Sequence, residues 1–136
     1  MKSITLVTVV VLTLASAGVA LAHPGEASSA AAGKPQSVTM RGEVVDPQCF
    51  FTHGSRGLAH VSCAQTCAQG GQGLAFLEES SGVIYPLIAA GHGKNQNALV
   101  LDKIGRPVIV KGVTFRKGAN AVLLIQSVVV APGAAR

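Results

Sequence analysis

Between Cys49 and Gly73 the chain reads CFFTHGSRGLAHVSCAQTCAQGGQG, a stretch that holds all three cysteines and two of the four histidines. Its centre is His60-x-x-Cys63-x-x-x-Cys67. Offsets of three and four residues place these side chains on one face of a helix. Cys49 lies fourteen residues before Cys63, and a loop could return it to that face. Three sulfurs and one imidazole converging on a point form the ligand set of a soft metal ion. Cys3His is a structural zinc set, and thiolate with imidazole equally suits Cu(I).

The same residues admit a disulfide with a thiol left over. Residues four apart on a helix have Cβ atoms about 5–6 Å apart, beyond the roughly 3.5–4.5 Å a disulfide needs, so Cys63–Cys67 would require local unwinding. Cys49 with either partner closes a loop of fifteen to nineteen residues, worth about 3 kcal/mol in the chain-entropy model. That arrangement leaves the third cysteine and His60 without a role, whereas a metal site uses all four. A thiol-redox role is a third reading, weakened because the spacing is CxxxC rather than CxxC and no βαβ pattern surrounds it. Covalent c-type haem attachment is disfavoured, since Ala68 and not His follows Cys67.

The remaining histidines are weaker ligands on paper. His53 shares the loop and could substitute for His60, while His92 sits in a Gly-rich stretch and reads as a solvated residue. His23 would become the N-terminus if cleavage follows Ala22. It could then chelate Cu(II) through amine and imidazole, but Pro24 lacks the next amide and the plainer reading is a bystander. Asp46, Glu78 and Glu79 form no carboxylate pair of catalytic spacing, and there is no Walker loop, GxSxG or HExxH. The sequence makes no case for an enzyme.

Elements that could position these residues follow from the pattern of the chain. Met1-Lys2, an apolar run from Ile4 to Leu14 and Ala20-Leu21-Ala22 have the layout of a secretory signal peptide over residues 1–22. The competing reading is an uncleaved anchor, because Ile4 to Ala22 is nineteen residues without a charge. Residues 23–37, rich in Ala, Ser, Gly and Pro, read as a flexible linker. The alternating Val38–Asp46 predicts a strand, followed by a helix from about Leu58 to Gln69 that Gly70-Gly71 stops. Leu74–Glu79 and Val83–Ala89 predict a hairpin, with Pro86 demoting part of its second strand to an edge. Asn95 or Asn97 could cap a short helix through Ala98–Leu101. Pro107–Arg116 and Ala121–Val130 predict a long final hairpin, the latter apolar enough for burial on both faces or barrel closure. Residues 132–136 are a tail.

The fold class is therefore mainly β. Glycines inside strands, Gly42 and Gly112, suit strong curvature, and the order predicts a small five-stranded OB-like Greek-key barrel over residues 38–131. It carries one helix in the first loop and a short helix between strands three and four. A two-sheet sandwich is the second choice.

Cleavage after residue 22 would leave 114 of the 136 residues, one small domain, and removing Lys2 lowers the formal charge from +5 to +4. The basic residues are scattered without a block, and aromatics number four Phe and one Tyr with no Trp. Neither a nucleic-acid arm nor a base-stacking platform is expected, nor is a membrane once the leader is gone. Export favours disulfides, yet three cysteines is an odd number, so at least one thiol is free, metal-bound or paired with another chain. A protein or carbohydrate partner along the barrel remains open.

Gly42-x-Val44-Val45-Asp46-x-x-Cys49, then His60-x-x-Cys63-Ala64-x-x-Cys67, a Gly-rich exit and the LAFL strand resemble a group of small exported bacterial proteins with OB-like barrels. Gly105-x-x-Val108-x-Val110-x-Gly112 fits as well, so the likeness covers most of residues 38–130. The resemblance implies the fold more than an activity, and its motif residues fall on Cys49, His60, Cys63 and Cys67. The CxxxC spacing is also similar to the copper loop of binuclear CuA centres. Here, however, no His follows Cys67 at the expected place and no nearby Met offers an axial ligand.

Overall fold

The computed structural model describes residues 32–133. Their β content is five strands: β1 Ala32–Val45, β2 Ala75–Glu78, β3 Ile84–Pro86, β4 Pro107–Lys117 and β5 Asn120–Val130. They form one antiparallel sheet in the order β3-β2-β1-β4-β5. The sheet curls into a half-barrel, so that chain leaving β3 meets β5. Leu87 makes a parallel bridge with Leu123, and Ile88 N–H donates to the Leu123 carbonyl at 3.0 Å. Among the described residues no helix is long and apolar enough to cross a membrane.

Curvature of this kind needs strands that approach closely at the bends. A Cβ on Gly112 would overlap the Leu124 carbonyl and sit 3.2 Å from Leu123 Cδ1. At this glycine the β4–β5 register shifts, between Lys111 and Gly112. Gly42 plays the same part between β1 and β2, where a Cβ would meet the Phe76 ring. The inner face is apolar: Val44, Phe76, Val108, Val110 and Leu123 are fully buried and pack with Leu74, Val100 and Ile104. On β4 the alternation Val108, Val110, Gly112, Thr114 faces this core.

Several elements differ from the sequence expectation. β1 begins at Ala32, inside the segment expected to be linker, because β4 is long enough to pair Ala32 with Lys117 and Gly33 with Arg116. The expected signal peptide, and the part of the linker before residue 32, lie outside the described residues. β3 is shorter than expected and stops at Pro86, whose ring removes the ladder donor. β5 is not buried on both faces: Leu123 is enclosed, whereas Val129 is 58% exposed.

The first loop carries two α-helices rather than one. They are α1 Pro47–His53 and α2 Val61–Gln69, the latter entered through a 3₁₀ turn at Leu58–His60. Between β3 and β4 the short helix expected over Ala98–Leu101 is replaced by hydrogen-bonded turns and a single 3₁₀ turn, Leu101–Lys103. Of the two expected caps, Asn95 accepts from the Asn97 N–H at 2.8 Å, while Asn97 is buried and spends its side chain elsewhere. Its Oδ1 accepts from Leu74 N–H at 3.0 Å and its Nδ2 donates to the Gln72 carbonyl at 2.8 Å.

Candidate metal centre

Asp46 closes β1 and opens α1. Its carboxylate Oδ1 accepts from the Cys49 N–H at 3.2 Å, which is the N-cap interaction that satisfies one of the orphan donors of a helix start. Pro47 occupies the first helical position, where its fixed φ suits the helix and its missing N–H costs nothing. Gly54, in the left-handed conformation at φ 68°, ends the helix. One turn of helix therefore aims Cys49 from the end of a buried strand, a placement set by Asp46-Pro47.

His60 and Cys63 arrive from the other side. The segment leading to them is pinned by Glu43, which accepts from Gly57 N–H at 2.5 Å and lies 3.7 Å from the Arg56 guanidinium. Gly105 also presses on it: its φ is +73°, and a Cβ there would stand 2.7 Å from the Gly57 carbonyl carbon. The helix α2 then buries Ala64 and Ala68 against the barrel, small residues that allow close seating. Cys63, on another side of the same helix, stays exposed.

The outcome is that Cys49, His60 and Cys63 present one ligand atom each, all within 4.8 Å of one another. A metal ion could be held by this group. All three cysteines are free thiols and no disulfide is formed. Of the four residues that the sequence singled out, Cys67 does not join the close group. It sits beside Cys63 and against the Asp46 carboxylate. His53, at the end of α1, and His92, in the loop after β3, are exposed and apart from the group, and His23 lies outside the described residues.

Asp46 dominates the electrostatics. Its side chain is wholly buried. Burial pushes its pKa up, but the Cys49 N–H, the Cys67 thiol and the Gln48 N–H outweigh this and hold the carboxyl below its usual value. The resulting anion acts on its neighbours. Cys49 is pushed up to about 11 by burial first, then by the Asp46 charge and the Cys63 thiol. Cys67 is raised chiefly by its contact with Asp46, then by burial. Both thiols therefore hold their protons at neutral pH, and a metal ion must displace the one on Cys49.

Two buried atoms have no hydrogen-bond partner among the described residues: Asp46 Oδ2 and His60 Nε2. A buried ring nitrogen left unpaired is costly unless something else satisfies it. An ion against His60 would do so. Sequence reasoning missed Asp46 and its support. Gln72 Nε2 donates to Asp46 Oδ1, and Asn97 in turn holds the Gln72 carbonyl. The Asp-Pro pair before Cys49 was the available signal for a helix start; nothing local marks Gln72 or Asn97.

No protein-family model matches this chain, and comparison with curated proteins and with solved structures gives no significant match.

Proposed function

We propose that this is a small exported metal-binding protein in which Cys49, His60 and Cys63 hold a copper or zinc ion for trafficking, sensing or structural support. The observation that carries the reading is the convergence of three donor atoms, from α1, a 3₁₀ turn and α2, within 4.8 Å of one another. Thiolate and imidazole are the donors that soft and borderline ions prefer. The exposure of Cys63 gives an ion a way in and out, which suits exchange better than the closed, fully ligated sites of structural zinc. Export rests on the leader-like residues 1–22. The OB-like assignment, and with it the likeness to small exported barrel proteins, is supported by the strand order and by the parallel Leu87–Leu123 bridge that links the two ends of the sheet.

The test is metal content of the full chain purified anaerobically, beside a Cys63→Ala variant. The expected result is about one ion per chain for the wild type and little for the variant. Metal-free wild type, or equal loading of both, contradicts the proposal.

A second reading is favoured by the proximity of the Cys49 and Cys63 thiols. Oxidation would join them, and the barrel would then be a stapled module for a protein or carbohydrate partner. Intact mass before and after alkylation separates the two. One blocked pair with one reactive thiol indicates the staple, and three thiols that react only after chelation indicate metal.

A further inference from the structure

We infer that the site is under redox control: it holds its ion while Cys49 and Cys63 are reduced, and releases it when thiol–disulfide exchange, begun at the exposed Cys63, joins the two sulfurs. The inference rests on the metal-site reading and goes further, to what regulates the site. The ion-bound chain and the cross-linked chain become two states of one centre.

The two sulfurs already stand near one another. Cys49 on α1 and Cys63 on α2 present their Sγ atoms within 4.8 Å, and both thiols are free. A disulfide at about 2.05 Å therefore asks for a closing movement of less than about 3 Å. α1 can supply it. That helix has seven residues, buries none of them completely and ends at Gly54, where a Cβ would meet nothing within 4 Å. α2 is the fixed side, seated through the buried Ala64 and Ala68. A Cys63–Cys67 bond would have to form within α2 itself, where residues four apart keep their Cβ atoms about 5–6 Å apart. Unwinding that turn would unseat Ala64, which lies between the two. Cys67 also stands outside the close group. The cross-link runs from α1 to α2.

Exposure sets the order of events. Cys63 is exposed and Cys49 half-buried, so a low-molecular-weight disulfide, RSSR, meets Cys63 first. In the loaded chain both cysteines are thiolates. The Cys63 sulfur attacks RSSR, the S–S bond breaks, and one RS⁻ leaves and takes a proton from water, giving a Cys63–SR mixed disulfide. The Cys49 sulfur then attacks the Cys63 sulfur and expels the second RS⁻, which is protonated in turn. Two electrons pass from the protein sulfurs to RSSR, which becomes two RSH, and the ion keeps its oxidation state. The thiolate is the metal ligand, so the finished disulfide leaves His60 as the one remaining donor of the group, and the ion departs.

The experiment treats the reduced, metal-free full chain with oxidised glutathione, alkylates the remaining thiols and maps the cross-link by peptide mass. The oxidised chain, freed of glutathione, and the reduced chain are then each offered Zn(II) and, anaerobically, Cu(I) in competition with chromophoric chelators. Circular dichroism confirms that every sample is folded. The expected product is one Cys49–Cys63 disulfide with Cys67 alkylated. The oxidised chain should bind either ion at least about a hundredfold more weakly than the reduced chain, and dithiothreitol should restore binding. Cys49→Ser should stop at a glutathione adduct on Cys63, and Cys63→Ser should form the adduct on Cys49 about tenfold more slowly or less. A wild-type cross-link that includes Cys67, or an oxidised chain that binds as tightly as the reduced one, overturns this inference while the metal-binding proposal stands. A reduced chain that takes up neither ion overturns both.

Discussion

Asp46 touches the cysteine cluster from two sides, capping the helix that carries Cys49 and lying against Cys67. Burial first, and the Asp46 charge after it, shift the Cys49 thiol. Cys49 titrates near 9 as an ordinary thiol and near 11 in the folded chain, so the fold binds this proton more tightly than the unfolded chain does. That contribution to stability is fully present below pH 9 and is lost as the pH rises through about 11. Alkylation of Cys49 in the metal-free protein, followed by peptide mass analysis across pH, should reach half its limiting rate near pH 11. A midpoint near 9, the ordinary thiol value, would contradict the described environment. Metal affinity should also rise with pH over this range, because binding must release the thiol proton. The approach of Cys49, His60 and Cys63 to one another follows the sequence pattern, offsets of three and four on a helix plus one loop cysteine. That Cys67 stands outside the close group was not legible, since helix spacing gives the face a residue shares and not the distances between side-chain atoms.

At the scale of elements, α1 and α2 stand where their ends are fixed. Gly105 is the tightest of these points, combining φ +73° with backbone contact to Gly57, two residues before Ala59-His60. Gly105→Ala should lower unfolding free energy by about 1–3 kcal/mol from strain alone and weaken metal binding by displacing His60. Chemical denaturation and chelator competition measure the two effects, and unchanged values in both would show that this contact does not position the site. Asn97→Ala removes the acceptor of the buried Leu74 N–H and the donor to Gln72. A loss of about 1–3 kcal/mol is expected, read by denaturant midpoint. Both residues act on chain distant in sequence, which explains why local patterns offered Asn95 or Asn97 as the cap of a helix through Ala98–Leu101. The helix start at Asp46-Pro47, by contrast, was written locally in the chain and could have been read there.

For the whole molecule, the two ends of the half-barrel meet. Leu123 is fully buried where Leu87 bridges to β5. Leu123→Ala should cost about 2–5 kcal/mol through lost burial and the cavity left behind, visible as a lower melting temperature. Bound metal should oppose such losses, adding about 2.7 kcal/mol when free metal exceeds Kd about a hundredfold. The five strands were legible from alternation and turn residues. The extension of β1 back to Ala32 was not, because it depends on the length of its partner β4 and not on its own Ala/Gly/Pro-rich composition. Three donor atoms from one loop meet at one point in this structure. X-ray absorption at the edge of the ion carried by the full chain reads that point directly. Two sulfurs, near 2.3 Å if the ion is zinc, with one nitrogen are expected. A shell of oxygen and nitrogen without sulfur would contradict it.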